Sequence, residues 1–273
     1  MRALAAFLTF VTLLPHCSFG PISKTSSRVI PKNTNLTPAP PAREIDGLYF
    51  KIISNAQTAA EVSKIADMIY RGILADIKLT ESFRPYSLMP LYLYQTREEY
   101  LQKSGMPEWS GAVFMGNAIV CYEYRGLPQT LAHEISHLIF QEFFAGYRTD
   151  LLWLNEGLAM HEEYRARGDA VIREAISASF PILKSSFWPL KDLTQIESAL
   201  DHREKEARIF YIESWLLVRF LLEKGGRVGF YEMLKALKMK RPLNAAIALG
   251  FPGKWNNLQE LETSFKTEYS ITW

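Results

Sequence analysis

Apolar residues recur along this chain with two different periods, and the change from one to the other divides it. Leu48-Tyr49-Phe50-Lys51-Ile52-Ile53 and Leu88 to Tyr94 are short β-forming runs and read as strands. Between them, Thr58 to Leu74 carries Ala59, Val62, Ile65, Ile69 and Ile73 at helical spacing. Arg97 to Lys103 reads as a short helix stopped at Gly105. Ala112 to Tyr124 is β-forming but flanked and interrupted by Gly111 and Gly116, the mark of a hairpin or a bulged edge strand. From Leu127 the helical period takes over. Leu127 to Phe144 has Pro128 in its first turn and an apolar face through Leu131, Ile135, Leu138 and Ile139. After a connection through Gly146 comes a helix from Leu154 to about Arg167. A long helix from about Arg203 to Lys224 stops at Gly225-Gly226, and three smaller ones cover Phe230 to Met239, Leu243 to Leu249 and Leu258 to Tyr269. The pattern predicts an α+β fold: a small sheet-containing lobe over residues 44–126, then a mainly helical lobe over 127–273.

What precedes the first strand has another character. Arg2 leads into an apolar run from Ala3 to Leu14, broken by Pro15 and too short to span a bilayer comfortably. Residues 1–20 therefore read as a secretory signal peptide, with Ser18 and Gly20 as the small residues of a cleavage site. Cys17, preceded by Leu14, offers an alternative: an acylated cysteine that would tether the protein to a membrane. Residues 21–43, with Pro38, Pro40 and Pro41 crowded together, read as an extended Pro/Ser-rich tether, order beginning near Gly47. The expected location is exported, periplasmic or secreted, with membrane contact only through a lipid on Cys17.

Composition narrows the classes. With 273 residues and 48% of them hydrophobic, the chain can build a sizeable core. A formal net charge of +2 argues against a nucleic-acid partner, and Lys235, Lys238, Lys240 and Arg241 read as the solvated end of a helix. Beyond the leader only Cys121 remains, so no disulfide forms within the mature chain, and Cys121 reads as a small apolar strand residue.

The chemistry concentrates in His133-Glu134-Ile135-Ser136-His137. On a helix, residues four apart share a face, so His133 and His137 can hold one Zn²⁺ while Glu134 stands beside it to handle a proton. A catalytic zinc needs a third protein ligand and one open position. Glu156 lies 19 residues after His137, enough for the first helix to end and a second to return antiparallel. Its flank, Leu151-Leu152-Trp153-Leu154, is too apolar for a surface helix start. The expected chemistry is hydrolysis by a zinc-activated water, with His133, His137 and Glu156 on the metal and Glu134 as general base.

His-Glu-x-x-His followed by Asn155-Glu156-Gly157 at this distance resembles the signature of the gluzincin metallopeptidases, and Trp153 to Ala159 looks like the aminopeptidase-type W-L-N-E-G-x-A segment. The specific part of the resemblance is confined to His133 to Glu163. It implies a gluzincin architecture of the compact peptidase-MA-like kind over residues 44–273, one zinc per chain, and a peptide or protein substrate. It also implies a Tyr or His from a later helix as donor to the oxyanion. Tyr211, in Phe210-Tyr211-Ile212-Glu213-Ser214-Trp215, matches that family's pattern, although a core tyrosine on an amphipathic helix fits the same run. Tyr147, Tyr164 and His202 are further candidates. Two departures stand out. The position four after the ligand Glu, an Asp in thermolysin-like enzymes, is Met160 here, and Glu163 or Glu162 can substitute as support for an imidazole. The segment Gly111 to Asn117 lacks the acidic residue with which zinc aminopeptidases capture a substrate amine. An endopeptidase is therefore expected over an aminopeptidase, with the same segment as an edge strand for an extended peptide. The alternative from another class is a catalytically inactive protein of this fold that binds peptides or assists envelope assembly.

Overall fold

The computed structural model describes residues 35–79, 87–108, 110–198 and 204–271. The expected leader, most of the tether and His202 lie outside the described residues. The fold is α+β: a five-stranded sheet followed by a mainly helical region. The strands are β1 (Arg43–Asp46), β2 (Phe50–Ser54), β3 (Met89–Tyr94), β4 (Ala112–Phe114) and β5 (Ile119–Tyr122), in the order β1-β2-β3-β5-β4. The middle pairs, β2 with β3 and β3 with β5, are parallel; the two outer pairs are antiparallel. Helix α1 (Ala59–Asp76) makes the first parallel crossover, and α2 (Arg97–Ser104) lies in the second.

Alternation along the strands sets the two faces of the sheet. Phe50, Ile52, Leu91, Leu93, Ala112, Phe114, Ile119 and Cys121 face the main core with α1. Val113, Met115, Val120 and Tyr94 face the other way and pack on Tyr100 of α2. Cys121 is a buried free thiol, as its strand position implies. Asp67 of α1 fixes the β1–β2 turn by accepting the N–H groups of Leu48 at 2.7 Å and Tyr49 at 2.9 Å.

The helical region begins with α3 (Leu127–Phe144), which packs on α1, β4 and β5. It ends where Ala145 turns left-handed, φ 55°, ahead of Gly146. A 3₁₀ turn, Thr149–Leu151, leads into α4 (Leu152–Arg167), and α5 (Asp169–Ser186), the four-residue α6 (Leu190–Leu193) and α7 (Glu204–Phe220) follow. Helix α4 runs between α3 and α7 and is buried almost all round. A π turn, Leu221–Gly225, closes α7, and α8 (Arg227–Lys238), α9 (Leu243–Gly250) and α10 (Leu258–Glu268) complete the chain. No described helix is long and apolar enough to cross a membrane.

Several features differ from the pattern-based expectation. A strand, β1, forms before Gly47, paired residue for residue with β2. The end of the expected tether also docks on the sheet lobe: Tyr94 Oη donates to the Leu36 carbonyl at 2.6 Å, and the Ala39 N–H donates to Glu99. Helix α5 fills a stretch in which no element was expected.

Candidate metal centre

Helix α3 brings His133 and His137 onto one face, their rings 4.8 Å apart and at 84° to each other. Glu156 comes to them from α4. The apolar run Leu151 to Leu154 is fully inserted in the core, which anchors the first turn of α4 and directs the next residues toward α3. Gly157 then lets α7 close in behind: a Cβ there would run into the Ser214 carbonyl and the Val218 side chain. Apolar flank, carboxylate and glycine thus form one device that seats Glu156.

Glu156 Oε2 lies 3.7 Å from His137 Nε2 and 4.0 Å from His133 Nε2, and the three donor atoms all lie within 4.8 Å of one another. A tetrahedral zinc with bonds of about 2.1 Å sets its ligand atoms about 3.4 Å apart, and both carboxylate–imidazole separations lie within a few tenths of an ångström of that spacing. The far nitrogens are held as well. His133 Nδ1 is 3.0 Å from Glu163 Oε2, and His137 Nδ1 is 3.0 Å from Asn155 Oδ1. A carboxylate or amide oxygen at Nδ1 keeps a proton there and turns Nε2 toward Glu156. Glu163 is steadied in turn by Arg167, four residues on, through its Oε1.

The electrostatics favour a cation. Burial by itself opposes charge on His133, but the hydrogen bond and negative charge of Glu163, with Glu134 and Glu156 behind it, outweigh burial and lift its pKa to about 9. Three carboxylates, those of Glu163, Glu134 and Glu156, act together on His133, and Arg167 pairs with Glu163.

A second His/carboxylate group, Asp76, His161 and Glu162, also brings three donor atoms within 4.8 Å. Its charges are already matched. Arg165 lies 2.7 Å from Glu162 and 3.5 Å from Asp76, and Arg227 is 2.8 Å from Asp76. Two carboxylates with two guanidiniums leave no deficit for a metal, so this group ties α1 to α4 and α8 as an ionic clamp.

Glu134, one position on from His133, is buried, and its Oε2 accepts the Phe114 N–H at 2.6 Å. Strand β4 is the outer strand of the sheet and, among the described residues, pairs with β5 only, so that N–H points to the side away from β5. The expected base therefore stands against the outer edge of the sheet. Tyr211 lies on α7, one turn before Ser214, half-buried and edge-to-face with Phe210. Tyr147 is exposed, and Tyr164 stacks on Trp215 between α4 and α7. Of the two acidic residues considered as support for an imidazole, Glu163 reaches His133, whereas Glu162 belongs to the clamp. Asn155 and Arg167 have no assigned role in the sequence reading. Asn155 directly before Glu156 in an apolar flank, and Arg four after Glu163, are the signals that mark them.

No protein-family model and no curated protein matches this chain.

Proposed function

We propose that this protein is an exported zinc-dependent peptide hydrolase of gluzincin type, with the metal on His133, His137 and Glu156. The observation that carries the reading is the approach of three donor atoms from two helices, with both imidazoles gripped at Nδ1. Nitrogen, nitrogen and carboxylate oxygen are a donor set suited to zinc and to a position left open for solvent. A zinc ion bound there supplies Lewis acidity toward a water and a substrate carbonyl.

The chain's own residues do the rest. Glu134 takes a proton from water at its carboxylate and delivers it to the departing amine. The Phe114 N–H, bonded to Oε2, fixes the plane of that carboxylate. An extended peptide lying along the outer side of β4 has its backbone beside Glu134, which favours peptides as the substrate class. Tyr211 donates its hydroxyl proton as a hydrogen bond to the oxyanion. With no acidic residue between Gly111 and Asn117 to capture an amine, cleavage within chains is favoured over removal of N-terminal residues. Export rests on the apolar leader of residues 1–20.

Cleavage of a peptide library by wild type and by Glu134→Gln tests this. Turnover by the wild type and its loss in Glu134→Gln support a hydrolase. Peptide retention without cleavage, equal in both proteins, identifies the binding protein instead.

A further inference from the structure

Helix α4 carries two acid–base pairs side by side, and they serve different neighbours. Glu162 pairs with Arg165 in the clamp around Asp76. Glu163, one residue on, turns to α3: its Oε2 meets His133 Nδ1 at 3.0 Å and its Oε1 takes the Arg167 guanidinium. Glu163 is 5% exposed at its side chain and Arg167 17%. A buried carboxylate bonded only to an imidazole can still rotate about its last bond. One held at both oxygens cannot, and a charge-assisted bond from arginine is among the stronger ones available to it.

We propose that Arg167 is a positioning residue of the metal centre, acting through Glu163 to fix the ring of His133 with its Nε2 toward Glu156. The inference deepens the metal-centre reading and rests on it. It also explains how the chain manages with Met160 where thermolysin-like enzymes carry an aspartate. The support for His133 comes from two turns along α4, and at that distance the carboxylate needs a brace of its own. Arg167 supplies that brace from the following turn and leans over the Tyr164 ring, which limits its own freedom.

The test is metal affinity, read by Co²⁺ titration and by Zn²⁺ competition against a chelator, for the full chain and for Arg167→Gln, Arg167→Lys, Glu163→Gln and Arg165→Gln. The thermal midpoint of each metal-free protein is measured alongside. Outer partners of metal-bound imidazoles are worth about tenfold to a hundredfold in affinity. Glu163→Gln is expected to fall in that range, Arg167→Gln to lose about tenfold, and Arg167→Lys to recover part of the loss. Arg165→Gln lowers the midpoint but binds metal as the wild type does. Wild-type affinity in Arg167→Gln beside weak binding in Glu163→Gln overturns the role of Arg167 and leaves the metal centre standing. An equal loss in Arg165→Gln also overturns it, since the effect would then be one of helix stability. A wild type that takes up neither ion removes the metal centre itself.

Discussion

Asn155 Oδ1 lies 3.0 Å from Nδ1 of His137, while the next residue, Glu156, faces Nε2 of the same ring at 3.7 Å. Two consecutive residues of α4 therefore address one imidazole of α3, Asn155 holding Nδ1 and Glu156 facing Nε2. The arrangement favours the tautomer that a metal requires and places it beside the Glu156 carboxylate within one helical turn. Asn155→Ala removes the acceptor and leaves a ring free to turn. Zinc affinity, measured by chelator competition, is expected to fall about tenfold or more, with the circular dichroism spectrum unchanged.

Gly157 sets how closely α7 approaches α4. A methyl group at that position meets a backbone carbonyl, that of Ser214, which cannot swing aside as a flexible side chain can. Gly157→Ala is expected to destabilise the metal-free protein by about 1–3 kcal/mol, the usual cost of overpacking, read as a lower denaturation midpoint. If the helices part to accept the methyl, Glu156 moves with α4, and zinc affinity drops as well.

The ionic clamp gives a pH signature away from the metal centre. Burial pushes the Asp76 carboxyl up, but His161 at 3.4 Å, Arg165 and Arg227 pull harder and hold it at about 2, below the ordinary 3.8. A lowered pKa means that the folded state favours the charged form. The contribution is complete above about pH 4 and is lost as pH falls toward 2. A lowering of that size amounts to about 2–3 kcal/mol. Acid titrations of wild type and Asp76→Asn are expected to show the wild type more stable at neutral pH, with the gap closing between pH 4 and 2.

Tyr211→Phe separates an oxyanion donor from a packing residue. The ring remains to pack on Phe210 and the hydroxyl alone is lost. Steady-state kinetics are expected to show kcat down by about 10²-fold with zinc content unchanged. Unaltered turnover assigns Tyr211 to the core.

The elements with strong punctuation were legible in the sequence. Helix α3 runs from Leu127 to Phe144 as read, because Pro128 opens it and the left-handed turn at Ala145–Gly146 closes it. Over Ala112 to Tyr124 the glycines left a hairpin or a bulged edge strand open, and the antiparallel pairing of β4 with β5 makes it a hairpin. Strand β1 was not, since Arg43, Glu44 and Asp46 leave Ile45 as the lone apolar residue and only pairing with β2 makes it a strand. Helix α5 was obscured by Pro181 in its interior and by a face that is only half-buried. The long helix read as far as Lys224 ends at Phe220 and passes into a π turn, whose Gly226 N–H reaches back to the Leu221 carbonyl at 3.1 Å. At the site, spacing and the apolar flank of Glu156 pointed to His133, His137 and Glu156 as a group. Which acidic neighbour supports His133 was left open between Glu162 and Glu163. That choice is set by the rotation of α4 against α3, a tertiary property that no local pattern encodes.

The most direct test is zinc stoichiometry by elemental mass spectrometry on wild type, Glu134→Gln and Glu156→Ala, each purified and dialysed in the same way. Expected is one zinc per chain in the wild type and in Glu134→Gln, and loss of the metal in Glu156→Ala. A wild type without stoichiometric zinc, or a Glu156→Ala protein that keeps it as tightly, contradicts a centre built from His133, His137 and Glu156.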